Sequence, residues 1–220
     1  MRPQLFASLL PLVLHAQRLK HLACALLVVS VAVIAQHAQA TPQSPTVFVE
    51  TIFTELTDEF RSLSSAPTTN QVEALFKEKL SPHIDFAGLA RWVLREHWTN
   101  SEDIQKDAFL VALQKHLIKT YAAALSFDDT INLSVSDQVK SGKRLTQVTG
   151  TLTSAESNAT KVLFRLVEGS SSWQIFDVGV QGISVAKTLR ADVSAIVGRG
   201  GIDAVTAALT SGNFNLVSQR

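Results

Sequence analysis

Apolar residues recur at three- and four-residue spacing through the first half of the chain and alternate with polar ones through much of the second. Val49, Ile52, Phe53, Leu56, Phe60 and Leu63 predict an amphipathic helix beginning near Val47, with Glu and Asp on its other side. The run SSAPTTN at 64–70 breaks it, and Val72, Leu75, Phe76 and Leu80 mark a second, shorter helix that Pro82 closes. Residues 84–98, IDFAGLARWVLREHW, place Phe86, Leu89, Ala90, Val93 and Leu94 on one face. A capping box between Thr99 and Glu102 then announces the longest helix, about 101–125. Along it Phe109, Ala112, Leu113, His116, Leu117, Thr120, Tyr121 and Ala124 form a nearly continuous apolar face, which must pack against something large.

The pattern then changes period. Segments at about 130–136, 143–153, 160–168 and 172–180 read as strands separated by Ser-, Gly- and Asn-containing turns. Ile131, Leu133 and Val135 alternate with polar residues in the first, Val148, Gly150 and Leu152 share one side of the second, and Val162, Phe164 and Leu166 continue that set in the third. Gly150 on the inward side marks a bulge, a close approach, or a tolerated small residue. The last strand, WQIFDVGV, ends at Gly182; on its alternation Asp177 faces away from Phe176, Val178 and Val180. Ser184 is a candidate N-cap for a helix carrying Val185, Leu189, Val193 and Ile196, which Gly198, Gly200 and Gly201 stop before Ile202, Val205 and Leu209 mark another. Helices followed by strands on short connections predict an α+β fold: a curved antiparallel sheet of about four strands enclosed by helices, the longest against its inner face.

Composition adds an export signal. Arg2, Arg18 and Lys20 make a basic leader, residues 22–35 are apolar apart from Ser30, and Ala38-Gln39-Ala40 is an A-x-A-like cleavage site, so 1–40 reads as a cleaved signal peptide and 41–220 as a single domain. The one cysteine, Cys24, lies in the leader, which excludes a disulfide scaffold and thiol chemistry from the mature chain. Cleavage removes three basic residues and no acidic one, leaving seventeen against nineteen and a net charge of −2. Nothing in that balance points to nucleic acid.

Catalytic signals are sparse. His83, His97 and His116 have no i, i+4 spacing, so no metal site is expected. Gly198-Arg199-Gly200-Gly201 follows a predicted helix without a Lys-Ser/Thr pair and reads as a helix stop, not as a phosphate loop. Asp177, isolated in an apolar strand, is expected to orient the backbone near Gly182 or to pair with Arg190. Lys187 and Arg190 belong to a solvated helix face, a lipid-phosphate contact or an acidic-partner contact.

Taken in order, FAGLARWVLREHW, a long helix ending in TYAAAL, the strand WQIFDV, the QGIS hinge at 181–184 and the closing GIDAV resemble the MlaC, or toluene-tolerance, family of periplasmic phospholipid-binding shuttle proteins. The resemblance runs over about 86–209. Where that family usually shows VLGRYW, this chain has Arg95, Glu96, His97 and Trp98; Gln181 stands where an acidic residue often precedes the Gly, and Leu189 where an aromatic often precedes the Arg. The resemblance implies a fold related to the NTF2-like cone with acyl chains inside it. It also implies a carrier that moves phospholipid between an outer-membrane lipoprotein–porin complex and an inner-membrane ABC transporter with its periplasmic lipid-binding subunit, with phospholipid as cargo and no other cofactor.

Such a carrier needs an apolar cavity instead of convergent acids. Exposing two chains of about fifteen methylenes to water costs on the order of 24 kcal/mol, so transfer takes place between docked partners. The expected lining is Val148, Leu152, Val162, Phe164 and Leu166 from the sheet, Phe176, Val178 and Val180 from the last strand, and Leu117 and Tyr121 from the long helix, each with ordinary core packing as the alternative. A two-chain lipid calls for a cavity at or above about 300–1,000 Å³. Two other functions fit the same pattern: an NTF2-like enzyme in which an Asp and Tyr121, the only tyrosine, move a proton on a small apolar substrate, and a ligand-free periplasmic chaperone or adaptor with a close-packed core.

Overall fold

The computed structural model describes residues 43–63, 67–124, 130–140, 144–155, 158–212 and 214. The expected export segment, residues 1–40, lies outside them. Helix α1 (Pro45–Ser62) starts at Ser44, whose hydroxyl accepts from the Val47 amide, and carries the apolar stripe read from the sequence. Helix α2 (Thr69–Leu75) opens with a capping box between Thr68 and Gln71, then loosens into a π-helical turn (Phe76–Leu80) and a 3-10 turn (Ser81–His83). The Pro82 ring, which cannot donate to a helix ladder, falls in that last turn.

The segment 84–98 is two helices, α3 (Phe86–Leu94) and α4 (Glu96–Asn100), parted by Arg95 at φ 52° and ψ −121°. Asp85 caps α3 through the Gly88 amide at 2.7 Å. The long helix α5 spans Asp103–Ala124. Its start differs from expectation: Thr99 lies inside α4, and the Gln105 side chain caps the Glu102 amide at 3.0 Å instead.

Four strands, β1 (Asn132–Lys140), β2 (Leu145–Thr153), β3 (Thr160–Glu168) and β4 (Trp173–Val180), pair antiparallel in chain order, and a two-residue β5 (Ile183–Ser184) extends the open sheet to five. The fold is therefore α+β with an antiparallel sheet. The β4–β5 connection is tighter than a hinge: Gln181 and Gly182 both take positive φ, 51° and 85°, as a two-residue turn of type I′ requires. Gly150 is where two backbones come close. A Cβ there would sit 2.8 Å from a Leu133 methyl, next to the β1 bulge between Val135 and Asp137.

Helix α6 runs Val185–Ser211 from its Ser184 cap, with non-helical backbone at Gly200 and Gly201, so it is two helical segments joined at a kink. Of the three glycines expected to stop it, Gly198 is helical and needs no special conformation.

Three apolar clusters organise these elements. Leu89, Val93, Phe109, Leu113, Leu189, Val193 and Val205 join α3, α5 and α6. Phe48, Val49 and Ile52 of α1 pack on Leu133, Val148, Val162, Leu166 and Ile175 of the sheet. Phe60, Val72, Leu75, Phe76 and Ala122 close the end where α1, α2 and α5 meet. The cover of the sheet is thus not the expected one: α1 lies on β1 and β2, whereas the principal neighbours of α5 are α6, α2 and α3. The apolar face of α5 is long enough to serve helices on one side and leave its last turns, from Leu117 to Tyr121, facing the sheet across a gap.

Candidate functional site: an apolar cavity

That gap is a cavity of about 350 Å³, in the lower part of the range for ligand pockets. Val49, Ile52, Phe53 and Leu56 of α1 form one wall, and Leu117, Ile118 and Tyr121 of α5 another. The sheet contributes Leu152, Val162, Phe164, Ile175, Phe176, Val178 and Val180, while Phe76, Leu80, Ile84 and Phe86 close it from the α2–α3 connection. Ile84 is held there by bridging to Ile175, with the Asp85 amide donating to the Ile175 carbonyl at 3.0 Å.

Eight of the ten residues expected to line the cavity stand on its wall: Leu117, Tyr121, Leu152, Val162, Phe164, Phe176, Val178 and Val180. Val148 and Leu166 do not. Both are fully buried in the cluster between α1 and the sheet, where α1 covers them before the cavity begins. The α1 and α2–α3 walls were absent from the expected lining, because an amphipathic stripe shows that a helix face is buried but not against what. Val180 lines the cavity and is 40% exposed, so the wall reaches the surface at the β4–β5 turn.

Asp177 departs from simple alternation. A bulge in β4 sets Arg165 opposite Asp177 and Leu166 opposite Ile175, leaving Phe176 as the extra residue. Asp177 therefore pairs with Arg165 across the strands, yet also contributes to the cavity wall. Its carboxylate accepts from the Ser184 hydroxyl at 2.6 Å and from the Ala186 amide at 2.8 Å, so it ties β4 to the first turn of α6. Arg190 is not its partner; that guanidinium stacks over the Trp92 ring at 4.7 Å, and Trp92 in turn meets Phe176 edge-on.

Other polar residues on the wall are engaged by the protein. Thr57 donates to the Phe53 and Thr54 carbonyls, and Ser81 accepts from the Gln114 amide at 2.6 Å. Burial, and then the charge of Asp177, push the Tyr121 phenol up to about 12. His116 is not on the wall; it stacks edge-on with Phe214, its Nε2 buried without a partner, and burial, then Lys119, lower its affinity for a proton. Among the described residues no cluster of three or more His, Cys, Asp or Glu is placed to hold a metal ion, and no helix is long and apolar enough to cross a membrane.

Comparison with known proteins decides the family. The family described as MlaC protein matches residues 48–211, from the first turn of α1 to the end of α6. This chain belongs to the MlaC family. Among solved structures it is similar to a phospholipid-binding protein from Ralstonia solanacearum, determined in complex with a phospholipid, at 16% sequence identity and a TM-score of 0.71 over 78% of this chain and 97% of that one. At that identity the likeness is one of fold. No curated protein matches the chain. Arg95 takes φ 52° with ψ −121°, a conformation that glycine adopts without strain and arginine does not.

Proposed function

We propose that this MlaC protein is a periplasmic phospholipid carrier without enzymatic activity. Residues 1–40 direct export and are removed, and the mature chain passes lipid between an outer-membrane lipoprotein–porin complex and an inner-membrane ABC transporter. The observation that carries the reading is the cavity itself, walled by aliphatic and aromatic side chains from α1, α5 and the sheet. Moving acyl chains from a bilayer into such a site is near neutral, whereas each methylene left in water costs about 0.8 kcal/mol. Cargo is therefore exchanged in docked complexes, and the partners set its direction.

Two features weigh against the other functions. Asp177 and Tyr121 share the wall, as an acid–base pair would, but both Asp177 oxygens already accept hydrogen bonds that hold α6 in place. A close-packed core, which a ligand-free adaptor would have, is interrupted by the cavity. Native mass spectrometry of the purified mature protein tests the proposal. Phospholipid is expected to accompany the chain in the absence of added lipid; protein that arrives empty and takes up none from phospholipid vesicles overturns it.

A further inference from the structure

One polar group on the cavity wall is left over. Thr57 bonds within α1, Ser81 bonds to Gln114, and Asp177 is held by Arg165, Ser184 and the Ala186 amide. Tyr121 lines the same space, and among the described residues no hydrogen bond engages its hydroxyl. A hydroxyl on this wall that no protein group engages is free to donate to an acceptor on a bound molecule.

The surroundings specify what that molecule must offer. With its proton held up to about pH 12 by burial and by Asp177, the phenol is a donor at any physiological pH. The wall around it is aliphatic and aromatic and would strip an anion of its water without offering a counter-charge, so the matching acceptor is uncharged. An acyl chain esterified to glycerol has one such group, the ester carbonyl at its head, and is hydrocarbon beyond it.

We propose that Tyr121 is a specificity-determining residue that donates a hydrogen bond to the ester carbonyl of a bound acyl chain, so that the cavity selects ester-linked over ether-linked lipids. The assignment rests on the carrier reading above. An ether-linked lipid of equal chain length fills the same volume but leaves the hydroxyl unpaired.

The test loads the mature protein from vesicles containing equal amounts of diacyl and dialkyl phosphatidylcholine with the same chain length, and reads the bound ratio by native mass spectrometry. Wild type is expected to retain the ester form about three to ten times more, the net worth of one hydrogen bond. Tyr121→Phe should bind lipid with a ratio near one. A wild-type ratio of one overturns the assignment whether or not the variant folds, as does a preference that survives in Tyr121→Phe. Retention of neither lipid is a different failure: it removes the carrier reading and this assignment with it.

Discussion

At the scale of single residues, His116 ties a local contact to bulk pH. Its Nε2 is buried without a partner against Phe214, and burial, then the Lys119 charge, lower its pKa below the ordinary value of 6.5. The unfolded chain therefore binds the proton more readily than the native state. Stability is fully present above the unfolded pKa, falls as pH drops through about 6.5, and stops falling below the native pKa. His116→Phe keeps an edge-on aromatic contact and removes the titration. Urea denaturation at pH 7.5 and pH 5 should show wild type losing more stability than the variant on acidification; equal losses would remove His116 as the cause. Residue roles were only partly legible in the sequence. That Asp177 orders the chain near Gly182 follows from a lone acid in an apolar strand, but its partner does not, because the β4 bulge chooses Arg165 and leaves Arg190 to Trp92.

At the scale of elements, backbone conformation separates positions that look alike in the sequence. Arg95 and Gly201 both have positive φ, 52° and 68°, one where a side chain is strained and one where glycine avoids the strain. Arg95→Gly should raise stability and Gly201→Ala lower it, each by about 1–2 kcal/mol, read as opposite shifts in the urea midpoint. Matching signs would show that these turns relax to suit their residues. Most elements were legible because each carries its own periodicity, as in the α1 stripe and the alternation of β2 and β3. The break inside 84–98 was not, since Arg95 has no turn signature and the apolar spacing continues across it.

At the scale of the molecule, cavity and core are distinguished by what lies opposite each side chain. Val178 faces the cavity, whereas Leu166 is sealed beneath α1. Val178→Trp should fill space instead of forcing packed atoms apart, so co-purified phospholipid falls while the melting temperature of the lipid-free protein holds. Leu166→Ala should do the reverse, costing about 2–5 kcal/mol in stability with lipid bound per folded molecule unchanged. If both variants lose lipid and stability alike, the cavity and the core are not separate structures.

The sequence by itself determined the class of fold, the order of the elements, the family and most of the cavity-facing positions on β2, β3 and β4, because periodicity and local turn chemistry act over a few residues at a time. Only the tertiary structure decided that α1 covers the sheet while α5 stands off it. Burial of an apolar face is satisfied equally by a packed partner or by the wall of a cavity, and pattern alone cannot tell which surface lies across from it. The same reason separates Val148 and Leu166 from Leu152 and Phe164, residues of one inward set that α1 divides between core and cavity, with Val162 at the boundary and part of both.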